Sequence, residues 1–178
     1  MQDETHINIF DFDETLFRIP NYTASEAKGI EPYDWFDDPQ SLDDRFNIKG
    51  IKNTLDETRG SGSLNFLVTH RVLACKPAVL QLLMNRGAKF DDVFFLGRAE
   101  SKSVIVSKII LDHLNIKVVT IYEDSLFEII KYTEEFTKSG LIDKVRFKFV
   151  DKSKIITLDT SAVKSLTQAY KLDKLNLE

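Results

Sequence analysis

Asp11 and Asp13 stand two residues apart at the carboxyl end of an apolar run, Ile7-Asn8-Ile9-Phe10-Asp11-Phe12-Asp13-Glu14-Thr15-Leu16. Side chains at i and i+2 of an extended segment leave on the same side, so both carboxylates are delivered to one spot. Two acids that close repel each other when ionised, which favours a bound cation or one carboxyl kept protonated. The competing reading is structural: aspartates that end a strand and cap the helix after it. Later in the chain, Thr69, His70 and Arg71 follow an apolar run at 64–68, and Glu123 and Asp124 follow another at 117–122, with Lys102 and Lys108 between. The runs at 64–68 and 117–122 thus end, like the first, in polar, reactive residues.

The elements that must position these residues follow from apolar periodicity. Strand-like runs at 7–10, 64–68, 92–96 and 117–122 are separated in several places by helical patterns. Residues 78–86 place Val79, Leu80, Leu82 and Leu83 at helical spacing and stop at Gly87, and residues 103–114 repeat the pattern with Val104, Ile105, Ile109, Ile110 and Leu111. Strands alternating with helices predict an α/β fold, a parallel sheet with helices on its faces, whose sites collect at the carboxyl ends of the strands. The third run ends in Gly97-Arg98, soon followed by Lys102.

Residues 17–63 show no comparable strand but carry Pro20, Pro32, Pro39 and the aromatic group Tyr33, Trp35 and Phe36. Because this segment leaves one acid-bearing strand and returns to the next, it is expected to form an inserted lid or small cap. Its aromatics either stack on a ligand or form the insert's own small core, and packing is the favoured reading. From 144 onward, Lys144-Val145-Arg146-Phe147-Lys148-Phe149-Val150 alternates bases with apolar residues, predicting an edge strand with one basic face, and residues 144–178 add strands and a final helix around 161–170.

With 178 residues, 43% hydrophobic and 29% charged, the chain suits one domain with a sizeable core. No apolar run approaches the roughly 20 residues of a membrane span, and Met1-Gln2-Asp3-Glu4 lacks the basic start of a signal peptide, so the expectation is a soluble, cytoplasmic protein with no membrane partner and no obligate protein partner. Cys75 is the only cysteine, which excludes an internal disulfide, and His6, His70 and His113 are too scattered for a zinc site. A net charge of −4 argues against a wholesale nucleic-acid surface, although residues 141–178 carry eight bases against five acids. Residues 31–44 are the opposite, with six acids and no Lys or Arg.

Taken in order, these motifs resemble those of haloacid dehalogenase superfamily phosphohydrolases: Asp11-Phe12-Asp13-Glu14-Thr15, then Leu64-Asn65-Phe66-Leu67-Val68-Thr69, then a lysine at a helix start, then Tyr122-Glu123-Asp124. The resemblance spans residues 5 to about 137. It implies a Rossmann-like three-layer sandwich with a central parallel sheet and a small inserted cap. Asp11 would be the nucleophile that forms an aspartyl-phosphate, and Asp13 the acid/base, its backbone carbonyl also serving as a metal ligand. Mg²⁺ is the implied cofactor, with Asp11 and Asp124 as side-chain ligands and Glu123 acting through water. Thr69 would donate to the phosphate oxygens and Lys102 would supply a positive charge, with Lys108 the competing lysine on the same helix. The spacing from Lys102 to Glu123 is also similar to that in the 3′-phosphatase domain of polynucleotide kinase/phosphatases.

The segments Asp13-Glu14-Thr15-Leu16-Phe17-Arg18-Ile19-Pro20, Trp35-Phe36-Asp37-Asp38-Pro39-Gln40-Ser41-Leu42, Phe90-Asp91-Asp92-Val93 and Ile121-Tyr122-Glu123-Asp124 resemble the Swiss Army Knife RNA repair-like subgroup. Departures are His70 where glycine usually follows the threonine, Glu14 for a common glycine, and Ser125 where arginine often follows the acid pair. The implied substrate is phosphorylated, a nucleic-acid end or nucleotide, with Arg71 as a contact to it and His70 either a contact or a shaper of the loop. The alternatives are a small-metabolite phosphatase and a binding protein that has kept the fold without turnover.

Overall fold

A six-stranded sheet organises the computed structural model, which describes residues 5–19, 32–43, 46–60, 62–113 and 115–175. In chain order the strands are β1 (Thr5–Phe10), β2 (Phe17–Arg18), β3 (Lys49–Gly50), β4 (Ser63–Thr69), β5 (Asp92–Phe95), β6 (Ile116–Glu123), β7 (Val145–Asp151) and β8 (Lys154–Leu158). The helices are α1 (Pro32–Asp37), α2 (Lys52–Glu57), α3 (Lys76–Asn85), α4 (Lys102–Leu111), α5 (Leu126–Lys138) and α6 (Thr160–Leu175).

The main sheet runs β5-β4-β1-β6-β7-β8; the first five are parallel, and β8 closes the edge antiparallel to β7. Alternation along each strand feeds two separate cores. Ile7 and Ile9 of β1, Phe66 and Val68 of β4, and Val119 and Ile121 of β6 face one cluster, which Val106 and Ile109 of α4, Ile129 and Phe136 of α5, and Val163 of α6 complete. Phe10, Leu67 and Tyr122 face the other, covered by Val79, Leu82 and Leu83 of α3, Leu55 of α2, and Leu42 and Ile48 of the insert. This is the mostly parallel α/β sandwich that the periodicity predicts. Ile9→Ala should lower stability by about 2–5 kcal/mol, read as a shifted urea midpoint, because Ile9 is fully buried at the sheet centre and its neighbours cannot collapse into the gap.

From β1 the chain turns one way to β4 and β5, then crosses back to β6 and β7 on the other side. The carboxyl end of β1 is therefore the switch point, where a crevice opens between diverging connections. α3 starts at Lys76, two residues earlier than periodicity suggests, because Pro77 in the first turn lacks an N–H that would go unpaired there anyway. It ends at Asn85 with Arg86 as its cap, and Gly87 follows with a φ of 63° that suits a helix stop.

Among the described residues of the insert, β2 pairs antiparallel with β3 over two residues each, far shorter than the strands of the main sheet, and one sequence expectation needs correction. The basic strand is not an edge, because residues 152–153 turn the chain back so that β8 pairs with β7 from Phe147↔Leu158 to Asp151↔Lys154. Residues 20–31, 44–45 and 61 of the insert, with Pro20, Glu31 and Asp44, and residues 176–178 lie outside the described residues, as does the side chain of Tyr33. Trp35 is fully buried, its ring edge-on to Phe46 at 5.2 Å, in keeping with a packing role, whereas Phe36 is only half-buried. Among the described residues no helix is long and apolar enough to cross a membrane.

Candidate active site

The end of β1 is pinned to β6 by a hydrogen bond from the Asp11 N–H to the Tyr122 carbonyl, 3.1 Å. That bond sets buried Asp11 beside Glu123 and Asp124. The chain then reverses tightly: Leu16 and Phe17 N–H both donate to the Phe12 carbonyl, and Glu14 sits in the left-handed region at φ 56°. A non-glycine residue there is strained, and the Glu14 carboxylate helps hold the turn by accepting the Ile19 N–H at 3.1 Å.

Lys102 is the first residue of α4 and only 3% exposed. Its Nζ stands 2.8 Å from Asp11 Oδ1 and 2.9 Å from Glu123 Oε2. Burial disfavours its charge, but these two carboxylates outweigh that and hold its pKa well above the ordinary lysine value. Lys108, on the same helix, is exposed in its last turn. Geometry thus separates two lysines that sequence spacing left open.

The acids around Lys102 outnumber it. Asp11, Glu123 and Asp124 each offer an oxygen, all within 4.8 Å of one another. Burial pushes Glu123 up, and burial followed by the Asp11 charge pushes Asp124 up to about 7. Glu123 is already committed at both oxygens, to Lys102 and, at 3.2 Å, to the Ser125 N–H, and Asp124 Oδ1 receives a long bond from Thr15 Oγ1, 3.4 Å. Three carboxyl groups whose oxygens converge this closely fit a hard divalent cation such as Mg²⁺.

Asp13 is gripped by Arg71. Nε donates to its two carboxylate oxygens at 3.2 and 3.0 Å and Nη2 to Oδ1 at 2.7 Å. Burial raises the Asp13 pKa above its ordinary value, against the opposing pull of Arg71. Nη1 of Arg71 donates to the Phe36 carbonyl and to Ser41 Oγ, both 2.8 Å. Thr69 is fully buried, and its Oγ1 accepts the Arg71 N–H at 3.2 Å, so in this arrangement the hydroxyl shapes the loop. His70 is half-exposed, with Nδ1 3.0 Å from the Gly97 carbonyl and Nε2 4.0 Å from Glu128 Oε1. Burial would raise Glu128, yet His70 and Lys131 outweigh it and hold its carboxyl down at about 2.

A cavity of about 490 Å³ collects these groups: Asp11, Asp13, Lys102, Glu123 and Asp124 line it together with His70 and Arg71, and Thr69 does not. Arg98, which follows the third apolar run in the sequence, lines the same cavity and pairs with Asp34 and Asp37 of α1, both at 2.8 Å. Glu128 carries no sequence signal, because it reaches the site only through tertiary approach, whereas Phe36 and Ser41 stand in the segment at 35–42 that the sequence singles out, and the fold brings both to Arg71.

The chain matches no family model and no curated protein sequence. Among solved structures it is similar to a chain of the Pnkp1/Rnl/Hen1 complex, with a TM-score of 0.51 and 13% identity over 86% of this chain and 48% of that one. It is also similar to the class C acid phosphatase from Bacillus anthracis, with a TM-score of 0.53 and 16% identity over 85% of this chain and 69% of that one. The chain spans about half the length of the first of these. At such identities the likeness is one of fold.

Proposed function

We propose that this protein is a phosphohydrolase working through an aspartyl-phosphate on Asp11. The observation that carries the reading is the placement of Lys102 between Asp11 and Glu123, with Asp124 beside them and Asp13 in the same cavity. An Asp11 oxygen attacks phosphorus and the ester P–O bond breaks, the leaving oxygen taking its proton from Asp13. Water then attacks the phosphorus, gives a proton back to Asp13, and releases inorganic phosphate as the bond to Asp11 breaks. Lys102 holds Asp11 oriented and neutralises charge on the phosphoryl oxygens. Asp11 and Asp124, with Glu123, would hold Mg²⁺, which when bound would neutralise further phosphoryl charge.

For substrate, we favour a phosphorylated nucleic-acid end or nucleotide. Supporting this are the sequence resemblance to the Swiss Army Knife RNA repair-like subgroup and a cavity far larger than a phosphate, lined on one side by the half-buried Phe36 and by Arg98. The second reading, a small-metabolite phosphatase, is favoured by the way Arg71 and Arg98 draw the insert against the cavity. Oligonucleotides bearing 3′- or 5′-phosphates should be dephosphorylated faster than p-nitrophenyl phosphate, with rates falling as salt rises. Equal rates on a panel of small phosphate esters, indifferent to salt, would decide for the metabolite.

A further inference from the structure

The Arg71 side chain is 1% exposed, and Nε, Nη1 and Nη2 all donate to protein acceptors. Its guanidinium lies 5.6 Å from the Phe12 ring centroid and 5.5 Å from that of Phe36. Its main chain is clamped as well, the N–H by Thr69 Oγ1 and the carbonyl by the Gly97 N–H at 3.3 Å. A fork so enclosed is poorly placed to meet an incoming phosphate. It is well placed to fix a carboxylate, because a planar guanidinium binds two oxygens in one orientation and a lysine ammonium does not.

Resting on the reading of Asp13 as the acid, we propose that Arg71 is a positioning residue that couples Asp13 to the insert through the Phe36 carbonyl and the Ser41 hydroxyl. Both acceptors belong to the insert, 35 and 30 residues before Arg71 in sequence. They hold the end of the guanidinium opposite Asp13, so the orientation of the acid depends on the seating of α1 and the turn at Pro39–Leu42. The Asp13 side chain remains 24% exposed, so a face of it is open to the cavity while the fork holds the rest. Another link from α1, the ion pairs of Asp34 and Asp37 with Arg98 beyond β5, is largely solvent-exposed and correspondingly soft. The buried fork is the stiff one.

The test uses the need for a proton on the leaving group. A p-nitrophenolate departs nearly unaided, whereas an aliphatic alkoxide needs the acid, so the ratio of the two release rates reports acid catalysis. Alcohol release would be followed in single turnovers at saturating enzyme, with Mg²⁺, for p-nitrophenyl phosphate and a simple alkyl phosphate. Asp13→Asn should slow the alkyl ester at least about a hundredfold more than the aryl ester. Arg71→Lys, which keeps the charge and loses the fork, should slow the alkyl ester about tenfold more than the aryl ester, with half-saturating enzyme concentration within about twofold of wild type. Ser41→Ala, which leaves Arg71 and Asp13 intact, should shift the ratio in the same direction by about threefold and keeps the test alive if Arg71→Lys does not fold.

A wild-type ratio in Ser41→Ala would overturn the coupling to the insert. So would weaker saturation for both esters with an unchanged ratio in Arg71→Lys, the mark of a substrate contact. If Asp13→Asn itself leaves the ratio unchanged, the acid assignment has failed and the proposal falls with it. That outcome differs from a large shift in Asp13→Asn alone, which defeats only the proposal.

Discussion

Asp11→Asn is expected to cut phosphatase turnover by at least about a thousandfold, since an amide cannot form the phosphoryl ester and no second step can follow. The substitution keeps the side chain's shape and the main-chain bond to Tyr122, so the sheet should persist, with an unchanged circular dichroism spectrum. It also carries an electrostatic signature. The Asp11 charge is the second cause, after burial, of the Asp124 pKa near 7, so Asp124 should titrate lower in the variant. Lys102 loses one of its two carboxylates and retains Glu123, which limits the cost to stability. Retention of full turnover would dismiss Asp11 as nucleophile.

Lys102→Met is the second large effect, and it strikes both stability and activity. Methionine fills similar volume, but Asp11 and Glu123 are then left buried without their cation, a situation that costs about 3–5 kcal/mol in comparable buried pairs. The variant should therefore unfold at markedly lower urea in the absence of Mg²⁺. The pH dependence has a definite sign. Burial raises the Glu123 pKa above its unfolded value, so the folded variant holds a proton that the unfolded chain releases. Its deficit should be smallest in acid and grow toward neutral pH. Added Mg²⁺ should restore part of the loss by binding the folded acid cluster. Turnover should fall at least about a hundredfold even where the protein is folded. Lys108→Met, on the exposed last turn of the same helix, should change stability by no more than about 0.5 kcal/mol.

The strands that build the site were legible because each is an apolar run ending in polar residues: the runs at 7–10, 64–68, 92–96 and 117–122 correspond to β1, β4, β5 and β6. Their carboxyl ends meet because parallel crossovers leave no other arrangement. Added strands and a last helix beyond residue 144 were legible too, but their pairing as a hairpin and the place of β7 inside the sheet were not, since a basic face looks the same on an edge strand and on one covered by a neighbour. Helix position favours Lys102 over Lys108 in the sequence, and in the fold the first is buried between two carboxylates while the second lies in solvent. Arg71 is the instructive case. Its place after Thr69 announced a site residue, but its partners are Asp13, Phe36 and Ser41, up to 58 positions away, and no local pattern encodes them.

The most direct measurement is a rapid-mixing, acid-quench experiment with enzyme in excess over a phosphate ester labelled in its phosphoryl group, followed by peptide mapping of the denatured protein. The account predicts transient, acid-stable label on the peptide carrying Asp11, rising before free phosphate appears and absent from Asp11→Asn. Free phosphate formed at full rate with no protein-bound label at any time, or label on a peptide without Asp11, would contradict it.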